Sequence, residues 1–374
     1  MQTIQDGAVG LYADFDNRFL ARDARAGVER AALSTLPVID FSPFVRASDT
    51  AARASVAREI RKACVDIGFF YVVGHGIDAS EIAACHDWTR RFFELPLAEK
   101  RKVDRNTSPT RQGWRGPGVT EGYGKSGQVA DWRENMLLVR DVLPDEPAEG
   151  RYNAGEAQWP DAAALPGFRE FMTGHIRRRF ALGQIMARAF ALSLDLAEDY
   201  FDASHRFMGG VLSLNWYPPL ERAKMDRTQW GISPHSDYGT ITLLSQDELG
   251  GLEVRNAAGE WIDVPPIPGS FVINVGELMA LWTNDLYAPS LHRATNIDTP
   301  KARVSAAFFT YPHGRTAVSC LPGCAGPGNP PRYQPVIAEE FTRALIEQAN
   351  RNGRPGILAH RFAAVQKPER SRAP

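Results

Sequence analysis

The chain has 374 residues, 44% hydrophobic and 23% charged, which is ample material for a large buried core. A formal net charge of -1 excludes a protein drawn as a whole to nucleic acid or to an anionic membrane. Four cysteines are too few for a disulfide scaffold, no apolar run approaches a membrane span, and the N-terminus has no apolar signal core, so a reducing cytoplasm is expected. Residues 1–35 are polar and irregular and read as an extension. "LPVIDFSPF" (Leu36 to Phe44) reads as a short buried strand bounded by prolines. A helix is expected next, with Val56, Ile60, Ala63, Cys64 and Ile67 at helical spacing and Gly68 as its stop. "FFYVVGHGI" reads as a strand, and "SEIAACHDWTRRFFELP" as a second amphipathic helix capped by Ser80. From Arg101 to Gly127 the chain is rich in Arg, Gly, Pro and Ser. It has no GxxxxGK[ST] spacing, so it is not a phosphate loop, and its length suggests a mobile substrate gate. A long helix is expected from Gly167 to about Tyr200, where Phe168, Met172, Ile176 and Phe180 step by four.

After Met208 the pattern changes to short β-rich runs: "GGVLSLNWY", "GTITLLSQ", "GLEVR", "EWIDVP", "SFVINVG", "PSLHRATNI" and "VSAAFFTYP". Gly/Pro turn signals separate them, which indicates a sandwich or jelly roll. A Pro-rich loop and a helix, "IAEEFTRALIEQAN", close the chain. The expected class is mixed α/β (α+β), a jelly-roll core with flanking helices. The expected divisions are an extension at 1–35, a helix-and-strand region at 36–150, long supporting helices at 151–204, the jelly-roll core at 205–315, and a C-terminal loop and helix at 316–374.

The segment "SPHSDYGTITLLSQDELGGLEV" carries the first chemistry. On a strand, residues i and i+2 share a face, so His235 and Asp237 converge while Ser236 turns away. His292, flanked by the small Ser290 and Ala294, is the third candidate ligand. Two histidines and a carboxylate form the facial set that suits non-haem Fe(II), occupying one face of the octahedron and leaving three positions open. The plainer alternatives are a hydrogen-bonded His–Asp pair in a loop and a satisfied core histidine. A zinc hydrolase is a further option, although the HExxH spacing is absent. Beyond His292, Arg303, Ser305, Ala307 and Phe309 share one strand face. Arg303 supplies a fork for a carboxylate and Ser305 an additional hydrogen bond. Tyr217 and Asn215 alternate on "LNWYPP" and face one side. The alternative for Arg303 is a pairing with a core acid.

The ordered set "NWYPP", "HSDYGTITLLSQD", "GGLEV", "WIDVPPIPGSFVINVGEL", "TND", "HRA" and "RVSAAFF" resembles the isopenicillin N synthase-like family of Fe(II)/2-oxoglutarate-dependent dioxygenases. "LPVIDFSPF", "GFFYVVGHGI" and "FFELPLAEK" resemble the family's N-terminal region, so the likeness runs from Leu36 to about Val336. The resemblance implies a double-stranded β-helix with iron held by His235, Asp237 and His292. It implies that Arg303 and Ser305 grip the distal carboxylate of 2-oxoglutarate, with Tyr217 and Asn215 assisting, and that Phe309 lies against the substrate. Ser236 stands where the family usually has Thr. The implied reaction uses O2, releases succinate and CO2, and oxidises a C–H bond of a small organic, secondary or specialised metabolite by hydroxylation, desaturation or cyclisation. Candidate substrate walls are Trp114, Arg115, Tyr123, Trp132, Met136, Leu138 and Arg206, with the C-terminal helix as a lid. Some family members use the Arg-x-Ser pair for a substrate carboxylate instead, so an iron oxidase without 2-oxoglutarate stays open at this point, as does a non-catalytic carboxylate-binding jelly roll. The expected partner is a small molecule, with no nucleic acid, no membrane, and a monomer or weak homo-oligomer.

Overall fold

The computed structural model describes residues 33–46, 49–108, 112–117, 131–151, 155, 157–219, 230–295 and 299–350. The N-terminal extension up to residue 32, Tyr123 and much of the expected gate lie outside the described residues.

The strands in chain order are β1 (Val38–Asp40), β2 (Phe69–Val73), β3 (Gly113–Arg115), β4 (Glu134–Val139), β5 (Gly209–Tyr217), β6 (Ile232–His235) and β7 (Ile241–Gln246). They continue as β8 (Leu252–Arg255), β9 (Trp261–Asp263), β10 (Phe271–Val275), β11 (His292–Ala294), β12 (Arg303–Tyr311), β13 (Ala317–Val318) and β14 (Val336–Ile337). The helices are α1 (Ser42–Val45), α2 (Thr50–Asp66), α3 (Ala79–Phe93), α4 (Leu97–Arg101), α5 (Phe168–Ser193), α6 (Asp202–His205), α7 (Glu277–Trp282) and α8 (Ala338–Asn350). Asp49 caps α2 by accepting from the Ala52 N–H at 2.8 Å, which satisfies one orphan donor of its first turn.

Eight strands form the major sheet in the order β1-β2-β10-β7-β12-β5-β4-β3, and four form a minor sheet, β6-β11-β8-β9. The alternation of strand side chains divides the major sheet between two environments. Its outer face carries Phe70, Ile273, Leu243, Phe308, Leu212 and Met136 into a core shared with α2, α3 and α5. Its inner face turns Phe69, Tyr71 and Val272 against Leu252, Val254 and Ile262 of the minor sheet. The two sheets therefore close a jelly roll, with the helices layered on one side. Farther along the same inner face stand Asn215, Tyr217, Thr242, Gln246, Arg303, Ser305 and Phe309, as their cross-strand pairings require.

The helix layer is fastened by a buried polar network. Arg179 of α5 is fully buried and donates to the Leu243 and Ala306 carbonyls at 3.0 Å each and to Ser245 Oγ at 2.9 Å. Its Nε donates to His175 Nε2 at 2.7 Å, and His175 Nδ1 meets Glu81 Oε1 of α3 at 2.6 Å. Burial works against the charge of Glu81, but hydrogen bonds from His175 and Arg178 outweigh it and hold the carboxyl at about 2. Burial, then the Arg179 cation, pushes His86 down to about 3 and His175 to about 4, and burial pushes His205 to about 4. These imidazoles are neutral when folded, whereas an unfolded histidine takes a proton near pH 6.5. Stability is therefore fully present above that value and falls as pH drops toward 4, by on the order of 1–2 kcal/mol for each histidine at pH 5. Calorimetry is expected to show the melting temperature falling steadily from pH 7 to pH 5. A flat profile over that range would show that these rings are not buried neutral.

The C-terminal region is tied to the turn after α7. Asn284 accepts from the Arg332 N–H at 2.9 Å, and Tyr333 Oη donates to Asp285 at 2.6 Å. Among the described residues, α8 follows β14, which pairs with β13, and the Glu339 N–H donates to the Gly314 carbonyl at 3.0 Å. These contacts do not carry α8 over the inner face, so the lid expected of this helix is not seen in them.

Candidate active site

Three groups converge between the sheets. His235 and His292 stand opposite each other in the β6–β11 pairing. Asp237 lies just past the end of β6, so its convergence with His235 comes from the β6–β7 connection and not from strand alternation, which corrects the simple i, i+2 expectation. The ligating atoms of the three side chains all lie within 4.8 Å of one another. The connection is held down from behind: the Glu277 N–H donates to the Asp237 carbonyl at 2.8 Å, and Ser236 Oγ donates to Glu277 Oε1 at 2.7 Å. Gly276 permits this approach, since a Cβ there would meet the Gly239 carbonyl oxygen at 2.3 Å.

The donor set fits a divalent metal. His235 Nδ1 meets the Ser233 carbonyl at 2.9 Å and His292 Nδ1 meets the Ser290 carbonyl at 3.1 Å. Those acceptors place a proton on each Nδ1 and leave the Nε2 lone pairs for a ligand. The Nε2 atoms lie 3.9 Å and 3.6 Å from Asp237 Oδ1. Asp237 Oδ2 is occupied separately, by Thr242 Oγ1 at 2.5 Å and Asn274 Nδ2 at 2.7 Å. Burial, then the His292 imidazole and more weakly the Arg133 guanidinium, pushes His235 down to about 3, so its ring is neutral near pH 7. Burial by itself would raise the Asp237 carboxyl, but the two imidazoles and the Asn274 amide outweigh it and hold it well below the ordinary range. Two imidazoles and one carboxylate on one side of a point suit Fe(II) with open positions opposite.

Farther along the inner face is a polar cluster built around a buried cation. Arg303 pairs across strands with Tyr217, and Ser305 pairs with Asn215. The Arg303 guanidinium lies over the Tyr217 ring, 4.4 Å from its centroid, and Nε donates to the Gly250 carbonyl. Gly250 and Gly251 have φ of +75° and +83°, and this left-handed turn, which glycine tolerates, precedes β8. Arg303 Nη1 is buried with no hydrogen-bond partner among the described residues. Among the described residues Arg303 makes no direct ion pair with a core acid: its charge acts on the buried Asp247, but that carboxylate is bound by Arg90 Nη2 at 3.0 Å and the Val304 N–H at 2.7 Å. A buried guanidinium N–H without a partner is costly unless an anion completes it.

The remaining candidates divide by strand parity. Phe309 lies on the inner face opposite Val211 and Thr242, and Arg115 shares that face through its pairing with Asn135. Trp114, Met136 and Leu138 do not belong there. They sit one residue out of phase and are buried in the core shared with the helices, where the Trp114 indole N–H donates to Glu134 Oε2 at 2.7 Å. Arg206 follows α6 on the helix side, with its guanidinium over the Phe207 ring. Trp132 runs beside β6, its N–H donating to the Trp230 carbonyl at 2.8 Å. Thr242, Asn274 and Arg133 were not anticipated. Inner-face parity would have pointed to the first two, while no local signal marks Arg133.

The comparisons with known proteins agree with this geometry. Residues 36–162 match a family described as non-haem dioxygenase in morphine synthesis, N-terminal, and residues 208–312 match the 2OG-Fe(II) oxygenase superfamily. A 2-oxoglutarate-Fe(II) type oxidoreductase of Emericella nidulans, hxnY, is 33% identical over 84% of this chain and 90% of its own length. This chain belongs to the 2OG-Fe(II) oxygenase superfamily. The oxygenase is also 34% identical to the homoarginine-6-hydroxylase 2-ODD-C23 of Glycine max, over 77% of this chain and 88% of that protein. A Neurospora crassa enzyme solved with alpha-KG and thymine superposes with a TM-score of 0.73 at 27% identity, covering 86% of this oxygenase and 98% of that chain. JOX2, solved with 2OG, Fe and JA, superposes with a TM-score of 0.67 at 28% identity, covering 87% and 88%. The protein is thus a non-haem Fe(II)- and 2-oxoglutarate-dependent oxidoreductase acting on a small organic substrate. No helix among the described residues is long and apolar enough to cross a membrane.

Proposed function

We propose that His235, Asp237 and His292 hold Fe(II), and that Arg303, Ser305, Tyr217 and Asn215 hold the distal carboxylate of 2-oxoglutarate. The observation that carries this reading is the unpartnered Arg303 Nη1, buried on the sheet face that looks toward the triad. When bound, the iron supplies the oxidising chemistry, in which O2 and 2-oxoglutarate are consumed, succinate and CO2 are released, and a substrate C–H bond is oxidised. The chain's own work is placement. The Arg303 fork and the Ser305 hydroxyl fix one end of the co-substrate, so that its other end is presented in one orientation. The backbone acceptors at Ser233 and Ser290 keep both imidazoles in the ligating tautomer. Thr242 and Asn274 hold the carboxylate of Asp237 with one oxygen toward the imidazoles. Phe69, Val254 and Val272 pack in one apolar layer between the sheets, with the Phe69 ring 5.2 Å from that of His292.

The substrate fits as a small specialised metabolite that meets Phe309 and carries a polar or acidic group toward Arg115. Homoarginine in one relative's name, and thymine and JA in two solved complexes, are different small molecules, which supports the class and not one compound. Four cysteines, all free, support work in a reducing cytoplasm. The test is a panel of small organic acids and amines incubated with protein, Fe(II) and 2-oxoglutarate, with succinate and substrate mass read together. Succinate release that needs both additions and rises with one class of substrate is expected. Oxidation of a panel compound without 2-oxoglutarate would overturn the reading.

A further inference from the structure

We infer that Arg133 is a positioning residue for the 2-oxoglutarate pocket, acting through Asn215 to aim the hydroxyl of Ser305 at the bound carboxylate. The inference deepens the proposed role of Arg303 and Ser305 and rests on it. Arg133 reaches the pocket because the segment before β4 is strapped along β6. The Asp131 carboxylate accepts from the Ser233 N–H at 3.0 Å and from Ser233 Oγ at 2.5 Å, while the Trp132 N–H donates to the Trp230 carbonyl. From that strap Arg133 Nη1 donates to Asn215 Oδ1 at 2.5 Å.

The chemistry then runs in one direction. Asn215 Oδ1 also accepts from Ser213 Oγ at 3.1 Å, so two donors face it and only the carbonyl end of the amide can point that way. The Nδ2 end is therefore turned toward Ser305, donating to its Oγ at 3.4 Å, and toward the Ser213 carbonyl at 3.3 Å. A hydroxyl has one hydrogen. With Asn215 donating to its oxygen, the hydrogen of Ser305 is left to donate to another acceptor. Ser305 lies two residues along the same face from Arg303, whose Nη1 also lacks an acceptor. A carboxylate placed there accepts from both. Without Arg133 the amide can turn over, present its oxygen to Ser305, and draw that hydrogen away. Asn215, Ser213 and Ser305 are all buried, so water does not take over this ordering.

The experiment is anaerobic titration calorimetry of 2-oxoglutarate into Fe(II)-loaded protein, using wild type, Arg133→Met, Arg133→Lys, Ser305→Ala and the double variant Arg133→Met/Ser305→Ala. Arg133→Met is expected to weaken binding about threefold to tenfold, the scale of one hydrogen bond, and Arg133→Lys to recover part of it. The double variant should bind about as well as Ser305→Ala alone, because the effect of Arg133 passes through that hydroxyl. Melting temperatures of the singles near wild type exclude a folding cause. Losses that multiply in the double variant, or an unchanged affinity in Arg133→Met, would overturn the inference. Failure of the wild type to bind 2-oxoglutarate would remove the proposed co-substrate pocket as well, and is thereby distinguished from failure at Arg133 alone.

Discussion

Asp237→Ala is expected to reduce iron-dependent turnover to background while leaving a folded protein. Asp237 is the anionic member of the set, and its Oδ1 lies within 4 Å of both Nε2 atoms. Removing it leaves two imidazoles, too few donors to hold Fe(II) on one face. The structural cost is limited to Thr242 and Asn274, which lose an acceptor, about 1–3 kcal/mol for buried polar groups left unpaired. His235→Ala and His292→Ala should behave alike. Asn274→Ala keeps all three ligands but leaves the Asp237 carboxylate held by Thr242 alone, and metal affinity should fall by roughly 10–100-fold. Iron content after dialysis, turnover and melting temperature separate these cases. Full turnover by chelator-stripped protein would contradict the assignment.

Arg303→Ala is expected to raise the apparent KM for 2-oxoglutarate, with iron content unchanged. Truncating one partner of a buried charge pair costs roughly 2–5 kcal/mol, chiefly because the anion is left unpaired. At about 1.4 kcal/mol per decade that is roughly thirty-fold to several thousand-fold. Arg303→Lys should recover only part. An ammonium keeps the charge but loses the fork, the stacking on Tyr217 and the bond to the Gly250 carbonyl. Ser305→Ala should cost less, about the 1.5–3 kcal/mol of one hydrogen bond to a charged group. An unchanged KM for 2-oxoglutarate beside a large rise for the organic substrate would place the substrate's own carboxylate on Arg303.

Much of the site was legible because its residues sit in short strands with turn punctuation on either side. The run "GGVLSLNWY" coincides with β5. "RVSAAFFTY" is β12, and its period of two put Arg303, Ser305 and Phe309 on one face. Parity failed where the sequence does not alternate. β4, "ENMLLV", is buried on both faces, so nothing in its composition tells Met136 and Leu138 from their neighbours. Its pairing with β5 settles the matter by placing Asn135 opposite Asn215 and Met136 opposite Leu214. Arg133 is a different failure. Its partner is 82 positions away, and the strap that brings it there depends on Asp131 finding Ser233. Long-range pairing of this kind leaves no periodic trace in the chain. Asp237 does lie beside the two histidines, but not through strand alternation, since a turn and the backing of Thr242 and Asn274 set its carboxylate.

The most direct measurement is CO2 and succinate release from 2-oxoglutarate by chelator-stripped protein before and after Fe(II) is restored, with Asp237→Ala and Arg303→Ala in parallel at low co-substrate concentration. The stripped protein should release neither product. Fe(II) should restore both in equal amounts together with O2 consumption. Asp237→Ala should stay silent at any 2-oxoglutarate concentration, whereas Arg303→Ala should recover as the concentration rises. Release that persists without metal, or that Asp237→Ala supports as well as wild type, would contradict a centre built on His235, Asp237 and His292.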